Sequence, residues 1–167
     1  ESRAGVRLSA KGEQLALHVL RRHRLVELLL VEILGVDWAV VHEEADLLEH
    51  AISERVLEKI DLLLGHPTVD PHGDPIPNSK GKLFEPASVS LADCAIGARQ
   101  RVTRVLNQNI EFLQFVEQHG LRPGATVVVE QRDAAADTST IQVTGREPKS
   151  LSLAVAAQIL VARGDAP

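Results

Sequence analysis

Between Ser9 and about Gly65 apolar residues return every three or four positions, the spacing that lines one face of an α-helix. Leu15, Val19, Leu20, Val26, Leu29, Leu30 and Ile33 trace such a face, and no Pro interrupts the stretch. Ser9 is placed to accept the first free amides of a helix, and Gly35 suits the left-handed residue that closes one. One long amphipathic helix is therefore predicted up to Gly35. Asp37 then offers a carboxylate cap, and a second helix is expected from near Trp38 to about Glu54. SERVLEKIDLLLG carries Val56, Leu57, Ile60, Leu63 and Leu64 and prolongs the helical period to Gly65, after a bend rather than a full break.

The rhythm changes at His66. GHPTVDPHGDPIPNSKGKLFEP holds Pro67, Pro71, Pro75, Pro77 and Pro86, which fix φ and remove backbone donors, so no helix crosses it. Beyond it VSLAD, QRVTRVLN, ATVVVEQRD, STIQVTG and SLSLAVAAQILVA read as short strands, interrupted by one helix, NIEFLQFVEQHG. Five short strands in so short a stretch predict a small barrel, and the chain as a whole reads as α+β.

Composition narrows the class. The 167 residues are 44% hydrophobic and 25% charged, values of a globular chain, and no apolar run approaches the roughly 20 residues of a membrane span. With 23 acidic against 18 basic residues the net charge is −5, which removes the basic footprint of an autonomous nucleic-acid binder. A single cysteine, Cys94, excludes an internal disulfide and a multi-cysteine zinc site. Together with the lack of a signal peptide it points to a reducing cytoplasm. Cys94 itself, in SLADCAIG, reads as a small buried thiol in a strand. The basic run RRHR, Arg21 to Arg24, is too short for a DNA patch and reads as a solvated helix face.

The chemistry lies in VHEEADLLEH. At about 100° per residue, with His42 at zero, Asp46 falls near 40°, Glu49 near 340° and His50 near 80°. Two imidazoles and two carboxylates thus share one arc, beside the stripe of Val41, Ala45, Leu48, Ile52 and Val56 rather than opposite it. Groups at the margin of a core must pair or hold a cation, because an uncompensated buried carboxylate is costly. The first helix adds His23 and Glu27, one turn apart, and the linker adds Asp70 and His72 in a turn set by Pro71 and Gly73. Imidazole and carboxylate without thiolate suit Mn²⁺ or Fe²⁺, with Zn²⁺ and Co²⁺ able to compete. Spacing alone fits equally a network of charges paired with one another. No nucleophile motif, Gly-rich phosphate loop or HExxH accompanies the cluster, so no enzyme is expected.

LSAKGEQLALHVLRRHRLVELLL, GVDWAVVHEEADLLEHAISERV and GHPTVDPHGDPIP together resemble, in order and spacing, the diphtheria toxin repressor and manganese transport regulator family. The tail resembles the SH3-like domain that many members append. The resemblance implies a remnant of a winged-helix wing over 1–8, a helical dimerisation and metal-binding domain over 9–66, a Pro-rich linker contributing ligands over 67–88, and an SH3-like domain over 89–167. The recognition helix that reads DNA is expected to be missing, so no residue of this fragment is assigned to DNA. Carried over by position, the primary metal site would use Asp46, Glu49 and His50. The ancillary site would use His23, Glu27 and His42, with Asp70 and His72 matching the two ligands of the C-P-H-G turn found in some members. Asn109 or Glu111, in LNQNIEFLQ, matches the oxygen ligands that the SH3-like domain supplies.

Iron-type members carry Cys where this chain has Asp46, and manganese-type members carry a carboxylate. The resemblance therefore implies a cytoplasmic, Mn²⁺-responsive repressor of metal-uptake genes. It would act as a homodimer through the apolar faces of its first two helices and reach operator DNA through an N-terminal domain, with no membrane and no small organic substrate as partner. Its alternatives are an iron-responsive repressor of the same family and a metal-binding interaction module without DNA binding.

Overall fold

The computed structural model describes residues 7–162, so the wing remnant expected over 1–8 lies outside the described residues except at Arg7 and Leu8. The chain divides into two compact units. Among the described residues the first comprises 7–36, Val41–Asp70 and Pro75–Phe84; the second takes Asp37–Val40, Pro71–Asp74 and 85–162.

In the first unit α1 (Ala10–Leu28) opens at Ser9, whose Oγ accepts from the Gly12 amide at 3.2 Å. It runs on into one π-helical turn over Leu29–Ile33, where the Leu34 amide reaches the Leu29 carbonyl at 3.2 Å, and Gly35 follows at φ 70°. The second helix is shorter than expected at both ends. Asp37 Oδ1 accepts from the Ala39 amide at 2.8 Å, which holds residues 38–40 as a turn, so α2 is Val41–Glu49. Its end is a full break rather than a bend, because Ser53 is extended and its Oγ receives the Val56 amide to start α3 (Glu54–Leu63). Leu25, Leu28, Leu57, Ile60 and Ile76 form one buried cluster, and Val26, Leu30, Val41 and Ala45 form another. Ile52, in the break between α2 and α3, packs against both.

The RRHR run is not a solvated face. Arg21 pairs with Asp61 at 3.0 Å and donates to the Pro77 carbonyl at 2.8 Å. Arg22 donates to the carbonyls of Glu49 and Ile52 and to Glu54, and Arg24 to the Pro75 carbonyl. Only about an eighth of each side chain is exposed. Carbonyls at the end of α2, in the break after it and in the Pro-rich segment accept from the guanidinium groups and draw them inward.

The second unit is one antiparallel sheet of β1 (Ser88–Ser90), β2 (Arg99–Val105), β3 (Thr126–Asp133), β4 (Thr138–Val143), β5 (Lys149–Ser152) and β6 (Ile159–Ala162), in the order β1-β6-β2-β3-β4-β5. Burial alternates along β4, and Val102, Val105, Val127, Val129, Ile141, Ile159 and Val161 share its core with Leu113 and Val116 of α4 (Ile110–Gln118). Among the described residues there are six strands, not five. Ser152 ends β5 and its Oγ caps a short helix, α5 (Leu153–Ala157), which splits the last predicted strand in two. Cys94 lies in a turn rather than a strand, because the Asp93 and Cys94 amides both fold back onto the Ser90 carbonyl at 3.0 Å. The thiol is buried, and burial pushes its pKa up against the opposing pull of Arg132.

Pro71–Asp74 is built into this unit. The Val105 amide donates to the His72 carbonyl at 2.9 Å, and Gly73, at φ 89°, brings its backbone so close to β2 that a Cβ would lie 1.9 Å from the Thr103 oxygen. Only glycine fits there. Trp38, 1% exposed, stacks on His72 with ring centroids 5.2 Å apart and lies 4.4 Å beneath the Arg122 guanidinium.

Candidate metal centre

α1 and α2 bring five of the sequence-selected donors together. His23 stands at the centre: its Nδ1 lies 2.9 Å from Glu49 Oε2 and 3.3 Å from Asp46 Oδ1. Its Nε2 lies 3.0 Å from Glu27 Oε1 and 3.0 Å from His42 Nδ1. The His42 ring is edge-on to the His23 ring and 3.2 Å from Glu27 Oε1. Two donor groups result, His23 with Glu27 and His42, and His23 with Asp46 and Glu49, each with ligand atoms within 4.8 Å of one another.

The cluster is graded in exposure. Glu27 and Glu49 are buried, His23 is 12% exposed, and His42 and Asp46 are open at 54% and 61%. Burial alone would lower the His23 pKa. The hydrogen bonds and charges of Glu27 and Glu49 outweigh it and raise it from 6.5 to about 9. A proton on His23 thus faces two desolvated carboxylates. A divalent cation can replace that proton, and donors of this kind, nitrogen and oxygen with no sulfur, fit Mn²⁺ or Fe²⁺.

The grouping differs from the one the helical wheel suggested. Asp46 and Glu49 turn towards His23 on α1, whereas His50 is 79% exposed, with Nε2 3.4 Å from Glu49 Oε1. A wheel orders residues within one helix and is blind to which neighbouring helix they face. Asp70, in the first unit, is buried beside Arg24, with Nε 3.5 Å away. His72, in the second, is buried and donates from Nε2 to the Trp38 carbonyl at 2.9 Å. Asn109 immediately precedes α4 and Glu111 lies in its first turn, both exposed. Among the described residues Glu111 belongs to no group of three close donors. Sequence reasoning missed Arg22, whose only signal was a position in RRHR next to His23.

Residues 9–78 match the family described as iron dependent repressor, metal binding and dimerisation domain, and residues 89–163 match the FeoA domain. The iron-dependent repressor IdeR of Mycobacterium tuberculosis is 33% identical over 156 residues, which cover 86% of this chain and 67% of that protein. The diphtheria toxin repressor of Corynebacterium diphtheriae is 31% identical over 143 residues, 77% of this chain and 61% of that one. Among solved structures, a manganese-dependent transcriptional repressor in complex with manganese superposes with a TM-score of 0.87 at 34% identity, covering 97% of this chain and 77% of its own. The chain thus spans about two thirds of the length of these curated relatives. A donor-bearing helical domain followed by an SH3-like antiparallel sheet is the architecture of a metal-dependent transcriptional repressor. The chain belongs to the diphtheria toxin repressor and manganese transport regulator family, whose members are regulators rather than enzymes. Among the described residues no helix is long and apolar enough to cross a membrane.

Proposed function

We propose that this chain is the regulatory and dimerisation part of a Mn²⁺-responsive repressor of metal-uptake genes. The observation that carries this reading is the five-donor cluster around His23, which holds two buried carboxylates and no thiolate. Hard and borderline ions prefer such a set, and Mn²⁺ accepts it without the sulfur that would draw Zn²⁺ or Cu⁺. Bound there, the ion supplies positive charge between α1 and α2. His23, Glu27 and His42 hold one site, and Asp46, Glu49 and, after a turn of its side chain, His50 hold the other. Asp70, His72 and either Asn109 or Glu111 enter as further donors on the family likeness.

The protein is proposed to be a homodimer. Its first two helices leave Leu15, Val19 and Leu47 at 64%, 40% and 75% exposure, apolar surface that a second copy would cover. Operator DNA is proposed to be bound through an N-terminal winged helix, with metal binding selecting the arrangement that fits DNA. An iron-responsive repressor is the second reading, favoured by the iron-dependent relatives at 33% identity.

Calorimetric titration of the metal-free chain with Mn²⁺, Fe²⁺ under anaerobic conditions, and Zn²⁺ tests this, repeated on Glu27→Gln and Glu49→Gln. Two binding events, each weakened by one substitution, with Mn²⁺ bound at physiological concentration, are the expected result. Binding of Fe²⁺ at concentrations where Mn²⁺ does not bind would move the reading to iron. No heat with any ion would leave the cluster a self-paired network and sink the sensor reading.

A further inference from the structure

We infer that Arg22 is a positioning residue of the metal centre, fixing the main chain of Glu49 and the turn that carries His50; this rests on the proposed Mn²⁺ site. The last carbonyls of an α-helix have no amide of their own helix to accept from. At the end of α2 the carbonyl of Glu49 accepts from Arg22 Nη1 at 3.1 Å, and the Ile52 carbonyl accepts from the same nitrogen. Nη2 of the same guanidinium pairs with Glu54 in the first turn of α3. Arg22 therefore brackets residues 50 and 51 from both sides and ties them to α1.

The next residue on α1 is His23, which takes the carboxylate of the same Glu49 at 2.9 Å. Two adjacent residues thus grip Glu49, one by its main chain and one by its side chain. When an ion takes the Glu49 carboxylate from the imidazole, the main-chain grip is what keeps Glu49 in reach of Asp46 and His50. A planar guanidinium with five donors can serve two carbonyls and a carboxylate at once, whereas an ammonium on a flexible stem reaches one of them. The side chain is 15% exposed, so water does not readily take its place.

Arg21 provides the matched control. It is equally shielded and makes a comparable pair of contacts, with Asp61 and the Pro77 carbonyl, none of them on α2. The test is Mn²⁺ calorimetry and thermal melting on the 167-residue chain, with Arg22→Gln, Arg22→Lys, Arg21→Gln, Glu49→Gln and the double variant Arg22→Gln/Glu49→Gln. Arg22→Gln is expected to weaken Mn²⁺ binding about 10- to 100-fold, the range seen when partners of metal ligands are removed, with Arg22→Lys between it and the parent. Arg21→Gln should lower the melting temperature while leaving Mn²⁺ affinity unchanged. In the Glu49→Gln background the Arg22 substitution should cost clearly less affinity than in the parent, because of the ligands it positions only His50 remains.

If Arg22→Gln binds Mn²⁺ as the parent does, or Arg21→Gln loses as much affinity as Arg22→Gln, Arg22 is structural only and the inference fails while the metal site stands. Should Arg22→Gln not fold, Arg22→Lys carries the comparison, and parent-like affinity there overturns the inference. A parent chain that binds no Mn²⁺ overturns the proposed function and this inference with it.

Discussion

His23 has two ring nitrogens and four neighbours to share them, three of which are carboxylates. In the metal-free chain a proton resolves that competition, with a pKa of about 9 against an ordinary 6.5. Because the folded value is the higher, the stabilisation is complete below about pH 6.5 and is lost as the pH rises through about 9. The melting temperature of the metal-free chain should therefore fall between neutrality and pH 9, and in His23→Gln this fall should be reduced. An ion must displace the same proton, so Mn²⁺ binding near pH 7.5 should release about one proton from His23, read from calorimetric enthalpies in buffers of different ionisation heat. Asp46 tests the choice of metal at the same scale. It is 61% exposed, so exchanging it disturbs little packing. Asp46→Cys, which adds a thiolate, should raise Zn²⁺ affinity relative to Mn²⁺, measured by competition against a chelator. An unchanged metal order would show that Asp46 does not ligate.

At the scale of elements, the helices obey signals that a sequence carries openly. Ser9 and Gly35 mark the ends of the first helical segment, and α4 is recovered almost to the residue. The break between α2 and α3 follows from Ser53, a preferred cap residue, whereas the helical period alone runs unbroken through Ile52. Removing that cap should cost about 1 kcal/mol. Ser53→Ala should accordingly melt a few degrees lower by circular dichroism; an unchanged midpoint would mean that tertiary packing alone starts α3. What stayed hidden depends on neighbours distant in sequence. Arg21, Arg22 and Arg24 look like any charged helix face until the carbonyls of Pro77, Glu49, Ile52 and Pro75 come alongside. The candidate donors stand out by residue type and spacing, whereas the contacts of Asp46 and Glu49 with His23 across α1 and α2 are a property of helix packing. The Pro-rich segment likewise read as a connector, yet Gly73 and His72 are pinned to β2 by a backbone contact that no local pattern announces.

At the scale of the whole molecule, the donors around His23 all belong to the first unit, and that unit has little apolar core of its own. Among the described residues, clusters of five and four buried apolar side chains lie around one half-buried Ile52. The second unit has a six-stranded antiparallel sheet and a larger set of fully buried residues. An ion that binds only the folded state stabilises it by about 2.7 kcal/mol when present at 100 times its dissociation constant. That gain should be felt where the donors are. Hydrogen exchange followed residue by residue is therefore expected to slow in α1 and α2 on adding Mn²⁺, while amides of β3 and β4 keep their metal-free rates. Glu49→Gln should remove most of the slowing in α2 and leave part of it in α1, because His23, Glu27 and His42 remain. Equal slowing in both units, unaffected by Glu49→Gln, would mean that Mn²⁺ acts at sites other than these donors, and the sensor would have to be sought elsewhere in the chain.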